Sequence, residues 1–85
     1  MASYNLFVRK SAAKEITALP KRDCGPVVEK IRALSTDPRP HGAEKLTGDE
    51  KYRIRHGDYR VLYEIDERTK RITIVRVAHR REVYR

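Results

Sequence analysis

Eighty-five residues are enough for one small domain, expected to span 1–85, with a modest core and marginal stability. Lysine and arginine number 20 against 12 acidic residues, a net charge of +8, so the favoured partners are polyanions or acidic proteins. The lone cysteine, Cys24, excludes an internal disulfide framework, and no run approaches the ~20 apolar residues of a membrane-spanning helix.

In chain order, Tyr4 to Val8 reads as a short first strand. It lacks the apolar core of a secretory signal, which points to a cytoplasmic protein. Ser11 is placed to cap a helix over about 12–19, with Ala12, Ala13, Ile16 and Leu19 apolar, and Pro20 ends it. A second helix is expected to start near Asp23, with Pro26 in its first turn, and to run to about Leu34. Val27, Ile31 and Leu34 form its apolar stripe. Ser35 to Gly48 reads as a long surface loop, rich in proline and glycine around Asp37 to Gly42.

The most informative stretch follows. Tyr52 to His56 and Tyr59 to Tyr63 are alternating segments joined by Gly57-Asp58, the pattern of a β-hairpin. A two-residue loop pairs His56 with Tyr59, Arg55 with Arg60, Ile54 with Val61 and Arg53 with Leu62. Tyr52, Ile54, Val61 and Tyr63 then share one face, and Arg53, Arg55 and Arg60 share the other. Opposed like charges cost a few tenths to roughly 1 kcal/mol. Three arginines on a strand face read equally well as a solvated surface, but the opposed Arg55/Arg60 pair favours a bound anion, with a phosphodiester the obvious candidate.

A last strand spans Ile72 to Ala78, apolar at both parities and so expected in the sheet interior. A basic tail, His79 to Arg85, closes the sequence. The order is β-α-α-β-β-β: an α+β fold with a helical hairpin packed on one face of a mostly antiparallel four-stranded sheet, the other face open and basic. Residues 51–85 hold eleven basic and five acidic side chains, a net of +6, so the sheet-forming half carries most of the field. The expected core is Leu6, Phe7, Ile16, Leu19, Val27, Val28, Ile31, Leu34, Ile54, Val61, Ile65, Ile72, Ile74 and Val77. Tyr59 and Tyr63 read as packing residues, and His41 and His56 as exposed loop and turn residues. Three scattered histidines and one cysteine have no metal-ligand spacing, so neither a metal nor another cofactor is expected.

Lys45-Leu-Thr-Gly48, Tyr52-Arg-Ile-Arg55, Gly57-Asp-Tyr-Arg60-Val-Leu-Tyr63 and His79-Arg-Arg-Glu-Val-Tyr84 together resemble the RelE/ParE superfamily of type II toxin–antitoxin toxins, over nearly the whole chain. The likeness is closer to the RelE branch, whose members are messenger-RNA endonucleases acting in the ribosomal A site. The resemblance implies a cognate antitoxin, messenger RNA and ribosomal RNA as partners, with no membrane and no small-molecule cofactor. It carries basic substrate-binding positions onto Arg53 and Arg55, where well-studied relatives have lysines. It carries a catalytic arginine onto Arg60, another onto Arg80 with Arg81 a near alternative, a terminal tyrosine onto Tyr84, and a proton-transfer histidine onto His79. Lys51 and Arg81 join Arg53 as RNA contacts.

Metal-independent RNA cleavage needs an acceptor for the 2′ proton, a donor to the leaving oxygen, and cations around the phosphoryl group. Arginine suits the last task because its planar fork binds two phosphate oxygens and stays charged. Arg55 and Arg60 are therefore assigned to the scissile phosphate and Arg53 to neighbouring phosphates. The general base is open between Tyr84, His79 and an arginine, with Arg80 the arginine suited to act as acid. Two rivals stand beside this reading: a DNA gyrase poison of the same fold, and a non-catalytic RNA-binding domain using the basic sheet as a platform.

Overall fold

The protein's structure, a computed structural model, describes residues 3–46 and 50–82. Four-residue β1 (Asn5–Val8) passes directly into α1 (Lys10–Thr17), followed by α2 (Lys21–Ala33). The rest is sheet: β2 (Glu44–Lys45), β3 (Lys51–His56), β4 (Tyr59–Asp66) and β5 (Arg71–His79). The strands lie in the order β1-β5-β4-β3-β2, with β1 parallel to β5 and the other neighbours antiparallel. The α+β architecture is thus the expected one, with a two-residue strand added at one edge.

Alternation along β3 and β4 sends Tyr52, Ile54, Val61, Tyr63 and Ile65 toward the helices, where all are buried. β5 is interior, flanked by β1 and β4, which accounts for its apolar residues at both parities. From α2, Val27, Ile31 and Leu34 recur at i, i+4 and i+7 and close the core with Ala12 of α1. Burying a side chain such as Leu34, Ile72 or Ile74 contributes roughly 1.5–3 kcal/mol. Leu6, Ile16 and Leu19 pack around the rim of this core.

Several local expectations are corrected. Helix α1 begins before Ser11, and its N-cap is Arg9, with no side-chain cap bond. The Arg9 N–H still serves the sheet, donating to Ile74 O at 3.1 Å, so strand runs into helix without a capping residue between. Pro20 is the N-cap of α2, and Pro26 lies inside the helix instead of in its first turn. Phe7 is 46% exposed and not core, its ring lying under the Arg71 guanidinium at 4.4 Å on the sheet's open face. His56 is half-buried, its Nε2 3.1 Å from Asp23 Oδ1 at the start of α2, because α2 folds across this end of β3.

The loop after α2 is strapped down by charge. Arg39 reaches Glu67 at 2.9 Å and Glu50 at 3.3 Å and donates to the Tyr52 hydroxyl at 3.0 Å. Tyr4 donates to the same Glu67 carboxylate at 2.8 Å, joining the first strand to the β4–β5 turn. Among the described residues no helix is long and apolar enough to cross a membrane.

Candidate active site

The hairpin register is the one the alternation predicts: Arg55 faces Arg60, Ile54 faces Val61, Arg53 faces Leu62 and His56 faces Tyr59. Gly57 carries the positive φ of 57° that the first central residue of this tight turn requires, and Asp58 follows it. Past the ends of β1 and β2 both flanks of the sheet are closed by helix side chains. Glu15 of α1 accepts from the Val77 N–H at 2.8 Å and from Arg76 Nε at 3.4 Å. On the opposite flank Lys30 Nζ of α2 donates to Arg55 O at 2.8 Å. The arginine end of the sheet is therefore held in place by helix side chains on both sides.

Within that frame the charges of Arg55, Arg53 and Arg80 act on Arg60. Arg60 Nη1 donates to Gly57 O at 3.2 Å and Tyr59 O at 3.1 Å, folding the side chain back over its own turn. Burial, then the charges of Arg55, Arg53 and Arg80, push the Arg60 pKa down, with Asp58 opposing them. Arg80 arrives from the end of β5: its N–H donates to Asp58 O at 2.7 Å, and its Nε lies 3.8 Å from Asp58 Oδ1. Arg55 is exposed, and Arg53 is half-buried.

One carboxylate belongs to the cluster and was absent from the sequence reading. Glu44 of β2 pairs with Arg53, and its Oε2 accepts from Arg53 Nη2 at 2.8 Å. That hydrogen bond, then the charges of Arg53, Arg55 and Arg60, hold the Glu44 carboxyl below its ordinary range. The signal for it was faint: a two-residue strand has no periodicity, and only its pairing with Arg53 turns Glu44 toward the arginines.

The other sequence-derived positions divide. Lys51 lies on the arginine-bearing side of β3, at the far end, 3.9 Å from Glu64. His79 does not join the cluster. It pairs with Tyr59 and meets that ring edge-on at 5.8 Å, and alternation turns both away from Arg60. Its Nδ1 accepts from the Arg81 N–H at 3.2 Å, while the Arg81 side chain is exposed. Tyr84 lies outside the described residues.

Residues 6–84 match the model of the ParE toxin of type II toxin–antitoxin systems. The chain belongs to that family. Toxin RelG of Mycobacterium tuberculosis is 34% identical over 86 residues, covering 96% of this chain and 97% of the relative. The archaeal RelE–RelB complex from Pyrococcus horikoshii superposes with a TM-score of 0.80 at 30% identity, covering 95% of this chain and 99% of that one. The isolated Escherichia coli RelE toxin matches with a TM-score of 0.80 at 25% identity, covering 96% and 92%. The protein is thus a RelE-like toxin of a type II toxin–antitoxin system, and two helices on a mixed five-stranded sheet are its family's fold.

Proposed function

We propose that the toxin is a ribosome-dependent messenger-RNA endonuclease. The observation that carries this reading is the Arg55–Arg60 pair, with the charges of Arg53 and Arg80 acting on the same Arg60 guanidinium. Glu44 beside Arg53 and Asp58 beside Arg80 offset part of this charge, and a phosphodiester in its pentavalent state carries the charge that relieves the rest at Arg55 and Arg60.

In the reaction the 2′-oxygen attacks the adjacent phosphorus as its proton passes to a base. The bond from phosphorus to the 5′-oxygen breaks, and a proton reaches that oxygen from an acid. The products are a 2′,3′-cyclic phosphate and a 5′-hydroxyl. Arg55 and Arg60 hold the non-bridging oxygens, and Arg53 holds a neighbouring phosphate. Glu44 is the base: a carboxylate kept ionised because the hydrogen bond and charge of Arg53 outweigh the desolvation that opposes them. Arg80 donates toward the leaving oxygen, and Tyr84 stacks on a base or shares the proton transfer. Arg81 and Lys51 contact flanking phosphates. Placement in the ribosomal A site supplies orientation, which makes a weak base sufficient.

The relatives crystallised with RelB support a cognate antitoxin as this chain's partner, acidic where it crosses the arginine cluster, and a cytoplasmic site of action follows from the ribosomal substrate. The ParE name of the matching family favours one alternative, a gyrase poison of the same fold. A purified translation system with a defined message separates them. Cuts within A-site codons, read from mapped 5′ ends, support the endonuclease. Intact message together with blocked DNA supercoiling supports the gyrase poison.

A further inference from the structure

β1 ends where β5 changes course. The parallel ladder stops at Val8 and Ile74, and Val75 then has no partner on β4, because Tyr63 pairs with Ile74 and the adjacent Leu62 with Arg76. Val75 is the extra residue of a β-bulge, a device that bends a strand and re-aims the side chains beyond it. Here it flips the alternation: Val77 is buried opposite Val61, and Ala78 lies opposite Arg60 on the arginine face. Arg80 follows, its N–H held on Asp58 O at 2.7 Å.

Beyond Ile74 this segment has a strand on one side only, β4. On its open side the Val77 N–H donates to Glu15 Oε1 of α1 at 2.8 Å, and Arg76 Nε donates to the other carboxylate oxygen at 3.4 Å. We propose that Glu15 is a positioning residue for message cleavage, fixing the bulged end of β5 so that Arg80 stands at the leaving oxygen, an inference that rests on the endonuclease reading. A bulge interrupts the ladder and the edge beside it is open, so β4 alone would hold this segment loosely. A carboxylate on the exposed N–H makes the stronger, charge-assisted class of hydrogen bond, and Arg76 steadies that carboxylate through its second oxygen. The tie spans 62 positions of sequence, joining the first helix to the strand that delivers Arg80. Misplacing a group at the reacting phosphate by an ångström costs up to ~10²-fold in rate.

The test measures single-turnover cleavage of a defined message on purified ribosomes by wild type, Glu15→Ala, Glu15→Gln, Arg80→Ala and the double variant Glu15→Ala/Arg80→Ala. Alanine is the best helix former, so α1 is kept, and far-ultraviolet spectra check the fold. Glu15→Ala is expected to cut roughly 10- to 10²-fold more slowly at saturating toxin, with its half-saturating concentration unchanged. Glu15→Gln, whose amide oxygen still accepts from the Val77 N–H, should lose less. In the Arg80→Ala background the loss of Glu15 should cost nothing further, because it acts through Arg80. Glu15→Asp, which keeps the charge but withdraws the carboxylate, runs the same cycle if Glu15→Ala fails to fold. Equal losses in both backgrounds overturn the assignment, leaving Glu15 a general support of the fold. Wild-type cutting by Glu15→Ala overturns it too, and self-association of that variant would then show that Glu15 only shields a strand edge. If wild type cuts no message at all, the endonuclease reading fails first and this one with it.

Discussion

Glu44 Oε2 and Arg53 Nη2 stand 2.8 Å apart across the short β2–β3 ladder, so an acidic strand residue beside the arginine cluster is bonded to a member of it. If that carboxylate takes the 2′ proton, Glu44→Gln keeps the shape and a hydrogen-bonding oxygen but loses the base. Cleavage should then fall roughly 10²- to 10⁴-fold while the far-ultraviolet spectrum is unchanged. Because the arginines hold the Glu44 carboxyl below its ordinary range, the acid limb of the pH–rate profile should lie on the acid side of an ordinary glutamate. A limb near neutrality points instead to a histidine, and a Gln variant at wild-type speed removes Glu44 from the mechanism.

Arg60 illustrates function opposing stability. Burial and three neighbouring guanidinium groups disfavour its charged form, so folding this residue into place works against itself. Arg60→Gln should therefore melt no lower than wild type, and higher at low salt, while losing message cleavage and growth arrest. Added inorganic phosphate should raise the wild-type Tm by mass action and raise that of the variant less. Full growth arrest by Arg60→Gln removes the residue from the phosphate clamp.

The hairpin was legible in the sequence because a two-residue loop leaves only one register: once Gly57 and Asp58 form the turn, every pair from Arg55–Arg60 to Tyr52–Tyr63 follows. The order of helices and strands was legible for the same kind of reason, since the stripe Val27, Ile31, Leu34 and the alternation of β4 are periodic signals. Features resting on contacts distant in sequence were not. Asp23 meets His56 across 33 positions, and nothing local to His56 distinguishes it from an exposed turn residue. Glu44 was hidden by the brevity of β2. Phe7 was assigned to the core because hydropathy does not report which face of an edge strand is covered.

Glu67 makes the stability of the toxin depend on acid. Its bond from Tyr4, followed by those from Lys70 and Arg39, draws its carboxyl down from 4.5 to about 2. Folding thus favours the ionised form, so this stabilisation is complete above the unfolded value and is lost as pH falls from about 4.5 toward 2. Glu67→Gln should lower the Tm at neutral pH and flatten its decline through that window. Thermal melts between pH 7 and pH 2 measure this, and parallel curves for the two proteins would show that the ion-pair strap contributes nothing.

Tyr63 anchors the same loop from beneath. Its ring is 1% exposed, its hydroxyl donates to Pro38 O at 2.7 Å, and burial, followed by the neighbouring Tyr52, pushes its pKa up to about 12. The phenol therefore stays protonated and donating throughout the range in which the protein is studied. Tyr63→Phe keeps the packing against Tyr52 and removes only the donor, so it should cost about 1 kcal/mol, the net worth of one hydrogen bond. In a domain of this size that lowers the Tm by roughly 4–8 °C. Amide exchange should speed up at Arg39 and at His41 to Ala43 in that loop and stay unchanged in β4 and β5. Equal protection of that loop in both proteins would mean that the ion pairs of Arg39 hold it without help from the phenol.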